Sequence, residues 1–226
     1  MLIVQGLETA DTIPQAVGGF VYSGNMNEIE LRVEALSKAM LIGHYESGSP
    51  EWLEARAGIG GSDIGTICGV NRYQTREQLL ESRLSGSESV IEPNLAMRLG
   101  TAFEPAIRRL WAEDNNQWLT VVETGTWQSL ENPYWKANPD GLIRWVDGEI
   151  GILEIKNSQA ATMSDSWLYQ VNWYLMVLGL RRAVLVQCKG NKFVEYSIEA
   201  NVNIQAEMRA AARLFEKEAT NGTLPR

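Results

Sequence analysis

The chain has 226 residues, 45% of them hydrophobic, and a formal net charge of −8. This length suits one domain of about 200 residues with an N-terminal extension, and the apolar content is enough for a sizeable core. The charge argues against a protein that holds DNA through its bulk field. Two cysteines, Cys68 and Cys188, make no disulfide framework and are too few for an iron–sulfur cluster. The single histidine, His44, nearly excludes Ser–His–Asp and Cys–His nucleophilic sites and zinc centres built on several histidines. No run approaches a membrane span, and the N-terminus lacks the basic segment and apolar core of a signal peptide. A soluble, cytoplasmic protein with no membrane partner is expected, with residues 1–45 as the extension and 46–226 as the domain.

In chain order, residues 26–41 read as an amphipathic helix with Ile29, Val33, Leu36 and Met40 along one stripe, and Asn25 with Glu28 as its capping box. Ser47 to Glu51 reads as a linker. A short helix is expected near Ser62, with Ser62 as its N-cap, and another from Thr75, boxed by Gln78, to about Gly86. Residues 94–115 repeat a helical pattern at Leu95, Leu99, Phe103, Ile107 and Leu110, and Pro105 should kink or restart that helix after Glu104. Strands are expected at 119–127, 133–138, 142–146 and 150–156, a helix at 163–179, strands at 183–188 and 192–198, and a helix at 202–220. This order predicts an α/β (α+β) fold with a mixed central sheet flanked by helices.

The chemistry concentrates at Pro139-Asp140-Gly141 and Glu154-Ile155-Lys156. As a strand, Leu153 to Lys156 alternates, so Glu154 and Lys156 share one face. If the two segments form a hairpin, two carboxylates and an ammonium converge. Asp140, Glu154 and the Ile155 backbone carbonyl then offer hard oxygen ligands for Mg²⁺ or Mn²⁺. Lys156 would orient an attacking water or stabilise the phosphorus transition state. Taken singly, each piece has a plainer reading: Pro-Asp-Gly is turn chemistry and Glu-x-Lys an exposed charge pair. The apolar surroundings of Glu154 weigh against that, since burying such charges without a task is costly.

The Asp140/Glu154/Lys156 pattern resembles the PD-(D/E)xK nuclease superfamily. Three further blocks accompany it: Gly100-Thr-Ala-Phe-Glu104, Tyr169-Gln170-Val-Asn-Trp-Tyr174 and Arg56-Ala-Gly58-Ile-Gly60-Gly61-Ser62-Asp63. Their order is similar to that of the phage lambda exonuclease or YqaJ-type viral recombinase family, from about Trp52 to about Lys189. The resemblance implies a restriction-endonuclease-like core and a Mg²⁺-dependent exonuclease that degrades one strand of linear duplex DNA from its 5′ end. It also implies that Glu104 is a direct or outer metal ligand, and that Gln170 braces Lys156 or the attacking water. Arg56 and Ser62 would grip the terminal 5′-phosphate. A homotrimeric ring around double-stranded DNA and a single-strand-annealing partner belong to the same expectation. The glycines at 58, 60 and 61 fit neither a dinucleotide fingerprint nor a Walker loop. Two alternatives remain open at this stage, an endonuclease on the same fold and a non-catalytic DNA-end scaffold.

Overall fold

A computed structural model describes residues 26–46, 48–85 and 94–221. Helix α1 (Glu28–Leu36) is capped by Asn27, whose side chain accepts the amides of Ile29 and Glu30 while Glu30 accepts the Asn27 amide. The capping box thus lies at Asn27 and Glu30; Asn25 falls outside the described residues. The helix does not reach residue 41, because Ala39–Gly43 forms strand β1, antiparallel to β3 (Thr126–Ser129). Ladder bonds there take the backbone groups a longer helix would have used. Where a linker was expected, Pro50–Ala55 forms α2 behind the N-cap Ser49, with proline at a first-turn position that needs no amide. Ser47 and residues 86–93 lie outside the described residues.

Helix α3 spans Gly61–Ile67, and α4 spans Arg76–Leu84 with the expected Thr75–Gln78 box. Helix α5 (Leu95–Asp114) runs through Pro105 without the expected restart. Thr101 and Pro105 are both exposed, so water can satisfy the carbonyl that the proline leaves unpaired. The predicted apolar stripe meets the core only at Ile107, joined by Trp111. Leu95, Leu99 and Phe103 are exposed because only the later half of α5 lies on the sheet, and Leu110, between Ile107 and Trp111, is exposed on the face turned away from it.

The expected strand over 119–127 is two strands in two sheets. Strand β2 (Leu119–Val122) enters a five-stranded sheet, whereas β3 enters a three-stranded one with β1 and β4 (Lys136–Ala137). At the switch, Gly125 passes so close to Gly43 that an added Cβ would sit 2.0 Å from the Gly43 carbonyl oxygen. The larger sheet has the order β2-β5-β6-β7-β8, with β5 Gly141–Trp145, β6 Ile150–Asn157, β7 Arg182–Lys189 and β8 Lys192–Glu199. Only β6 and β7 pair in parallel, joined by the crossover helix α6 (Asp165–Leu178), and α7 (Val202–Asn221) follows β8.

Both faces of the larger sheet are covered. One face carries Leu142, Ile152 and Leu185 against Val171 and Leu175 of α6 and Met208 of α7; Ile29, Val33, Ala39 and Leu41 belong to the same core. The other carries Ile143, Leu153, Ile155, Val184 and Val186 against Ile107 and Trp111 of α5. Each fully buried aliphatic side chain contributes roughly 1.5–3 kcal/mol. A one-residue slip of β6 would exchange Leu153 and Ile155 with Glu154 and Lys156, so packing sets the register of the charged pair. Among the described residues, no helix is long and apolar enough to cross a membrane.

Candidate active site

Pairing between β5 and β6 runs only as far as Gly141 opposite Leu153. Beyond that point the β5-facing edge of β6 opens, and the Ile155 amide donates to Asp140 Oδ2 at 2.6 Å instead of to a strand. The Ile155 carbonyl points to the same open edge as its amide. Gly141 opens β5 in a tight spot, where an added Cβ would meet the Val122 carbonyl oxygen at 3.0 Å.

Glu154 and Lys156 project together toward α6. Lys156 Nζ donates to Glu154 Oε1 at 2.6 Å and to Gln170 Oε1 at 3.0 Å. The amide of Gln170 is oriented in turn by its Nε2 donating to the Tyr174 hydroxyl at 3.1 Å. Tyr174 is buried against the start of α3, where a Cβ on Gly61 would lie 2.5 Å from its ring. Packing of the glycine-rich segment therefore places the lysine through two intervening side chains. Glu154 is 2% exposed, and its Oε2 is buried without a hydrogen-bond partner.

The α5 side of the site is built from charge. Arg108 Nη1 donates to the Asp140 backbone oxygen at 2.8 Å and lies 3.4 Å from Glu104 Oε1, while Nη2 donates to Glu123 Oε2 at 2.6 Å. Burial, then the Asp140 charge, pushes the Glu104 carboxyl up to about 7 despite Arg108. Burial and then Glu154 raise Asp140, against the pull of Lys156, the Ile155 amide and Arg108. Burial also raises Glu154, with Lys156 opposing. Burial alone would depress Lys156, but Glu154, Asp140 and Glu104 outweigh it and hold the ammonium charged. Burial leads the shift at all three carboxyls, so each is costly to leave ionised without a compensating cation.

That cost bears on a metal. Among the described residues, no three Asp, Glu, His or Cys side chains close into a ready-made cage. The donors that fit are Glu154 Oε2, unpartnered on the α6-facing side of β6, and the Asp140 carboxylate and Ile155 carbonyl at its open edge; all are hard oxygens, and the Glu154 charge is felt at Asp140. A Mg²⁺-sized cation is commonly held in this way, with substrate phosphate and water completing its shell.

Arg56 and Ser62 are placed differently. Arg56 ends α2 and stacks over the Trp52 ring at 4.2 Å, with no carboxylate in ion-pairing reach among the described residues; its charge is felt by Glu154. Ser62 is exposed in the first turn of α3, but it is not the cap. Gly60 occupies that position, and Asp63 turns back to accept the Gly60 amide at 2.8 Å while facing Arg83 at 3.3 Å. Asp63 thus supplies the negative charge at this helix start. Several arginines that could have met DNA are paired already: Arg76 with Glu218, Arg83 with Asp63 and Arg109 with Glu113.

Three side chains of the site escape sequence reasoning. Arg108, four residues after Glu104, reads as one half of a solvated helix pair. Tyr174 reads as an apolar helix position, and Glu123 as strand surface. The one usable signal is the spacing of Gln170 and Tyr174 on one face of α6.

Comparison with known proteins places this arrangement. Residues 51–192 match the YqaJ-like viral recombinase domain model. The chain belongs to that family. It is 31% identical over 210 residues to the uncharacterized protein YqaJ of Bacillus subtilis, covering 86% of this chain and 62% of that protein's length. Among solved structures, an alkaline exonuclease (LHK-Exo) from Laribacter hongkongensis superposes with a TM-score of 0.64 at 20% identity, covering 76% of this chain and 93% of its own. The same enzyme is known in complex with dAMP. A phage-related exonuclease from Haemophilus somnus gives a TM-score of 0.53 at 11% identity, over 74% of this chain and 96% of its own. These likenesses establish the fold as the mixed sheet with flanking helices of PD-(D/E)xK nucleases.

Proposed function

We propose that the chain is a divalent-metal-dependent deoxyribonuclease that hydrolyses linear duplex DNA from the 5′ end. The observation that carries this reading is the buried, unpartnered Glu154 Oε2 beside Asp140 and the charged Lys156. An ionised carboxylate oxygen left unsatisfied in the interior costs several kcal/mol, which a proton or a cation must answer. Mg²⁺, with Mn²⁺ as a substitute, would supply Lewis acidity, making water a stronger acid and neutralising charge on the scissile phosphate.

The protein's own groups do the remainder. Asp140 and Glu154, with the Ile155 carbonyl, bind the cation, and Glu104 stands by as a further or water-mediated ligand. Lys156 orients the attacking water or stabilises charge gathering on phosphorus, and Gln170 holds that ammonium in place. Arg56, free of an acidic partner among the described residues, and the exposed Ser62 hydroxyl take the terminal 5′-phosphate. The family resemblance supports the 5′ polarity, a homotrimer that encloses the substrate, and hand-over of single strands to an annealing protein. Enclosure would spare an acidic protein the need for a broad basic surface. The structural relatives are exonucleases, which favours end-directed cutting over the endonuclease alternative.

The test is incubation with linear and covalently closed circular duplexes, with and without Mg²⁺, followed by product sizing. Mononucleotides from linear DNA alone, with 5′-phosphorylated ends digested faster than 5′-hydroxyl ends, are expected. Nicked circles would establish an endonuclease instead. Binding of ends without turnover in either metal would establish a scaffold.

A further inference from the structure

None of the roles above uses Arg108, yet its guanidinium spans three elements: Glu104 on its own helix, Glu123 after β2, and the Asp140 backbone before β5. Its side chain is only 12% exposed, so these are not the loose contacts of a surface arginine. Asp140 is anchored at two points, by Arg108 on its backbone oxygen and by the Ile155 amide on its carboxylate. Pro139 stiffens the chain on one side of it, and Gly141 leaves the other side soft. We propose that Arg108 is the positioning residue that sets the Asp140–Gly141 peptide, and through it the carboxylate direction. The consequence for metal binding rests on the nuclease reading; the positioning itself does not.

The fork geometry matters more than the charge. Two nitrogens reach a carbonyl oxygen and a carboxylate on different elements at once, which the single nitrogen of a lysine cannot do. Charge alone would even work against a cation, since a guanidinium beside the carboxylates repels it. Arg108 therefore helps the site by geometry while opposing a metal electrostatically.

The Ile155 amide reports on this directly, because its acceptor is the Asp140 carboxylate. Amide hydrogen exchange of the full chain, followed by NMR without metal, is compared for wild type, Arg108→Lys and Arg108→Ala. Exchange at Ile155 should accelerate roughly tenfold or more in Arg108→Ala and less in Arg108→Lys, with the Leu185 amide in β7 unchanged. Calorimetric Mn²⁺ titration should show affinity falling about 10–100-fold in Arg108→Ala, as for other groups that orient a ligand from behind, although a positive charge has been removed. Unchanged exchange at Ile155, or equal acceleration at Ile155 and Leu185, overturns the proposal, as does tighter Mn²⁺ binding in Arg108→Ala. If Arg108→Ala does not fold, Arg108→Lys alone decides, and wild-type exchange at Ile155 in that variant counts against. A wild type that cleaves no DNA but shows the local exchange pattern defeats the nuclease reading and leaves the positioning role standing.

Discussion

Lys156 and Gln170 lean on a buried tyrosine, Tyr174, whereas Glu104 and Arg108 lean on an exposed carboxylate, Glu123. Tyr174 is 3% exposed and rests on the Gly61 backbone, while the Glu123 side chain is 71% exposed. In the inner half each polar atom is held by a neighbour that packing has already fixed, so a lost partner leaves a desolvated group behind. In the outer half, charge and a guanidinium fork do the work, under water and salt that weaken the exposed partners. Substitutions in the inner half should be costly and local, and that of the exposed Glu123 smaller and dependent on salt.

The largest effect is expected where the inner half meets the cation. Asp140→Ala and Glu154→Ala should each lower cleavage by on the order of 10³-fold or more, with an unchanged circular dichroism spectrum, because on the proposed reading several kcal/mol of transition-state stabilisation depends on a metal they would hold. Near-normal turnover of either at saturating Mg²⁺ contradicts the assignment. Lys156→Ala should cut turnover steeply while leaving Mn²⁺ affinity intact or tighter, since an ammonium cannot ligate a cation. Gln170→Ala should cost about 10–100-fold in rate, again with metal affinity kept.

Two glycines sharpen the contrast in stability. Gly61→Ala forces a methyl into the Tyr174 ring, so urea unfolding should show a loss of about 1–3 kcal/mol, with turnover falling as Gln170 shifts. Gly100, on the exposed part of α5, has nothing within 4 Å of an added Cβ. Gly100→Ala should therefore gain about 0.5–1 kcal/mol from helix propensity. The smallest effect belongs to Glu123→Gln, worth less than about 1 kcal/mol and vanishing at high salt.

The same contrast explains what could be read from the sequence. Strand β6 was legible because burial on both sheet faces imposes a nearly continuous apolar run, and helix α6 because its apolar positions recur at helical spacing; Glu154, Lys156 and Gln170 came with them. The Thr75–Gln78 box was legible because it is local. The end of α1 was not: Ala39 and Met40 continue a helical pattern, and only pairing with β3 turns them into a strand. Ser62 looked like a cap because nothing local reveals that Gly60 takes that place with Asp63 folded back on it. Arg108 escaped because its decisive partner is the carbonyl of Asp140, 32 residues away. The exposed stripe of α5 shows the reverse failure, a correct helical period with the wrong inference about its partner.

On the proposed reading, a divalent cation offsets the claim that buried carboxylates make on protons. Glu104 titrates near 7 in the folded protein against an ordinary 4.5, and Asp140 and Glu154 are raised as well. Between those values the folded state holds protons that the unfolded chain has lost, so stability without metal should fall as pH rises through this window. A cation binds the ionised form, so its stabilising effect should grow as pH rises. The direct measurement is the melting temperature with and without Mg²⁺ at about pH 6 and about pH 8, for wild type and Glu154→Gln. A Mg²⁺-dependent rise that is larger at the higher pH in wild type and nearly absent in Glu154→Gln is the predicted result. An equal rise in both proteins, or one that does not depend on pH, would contradict this reading.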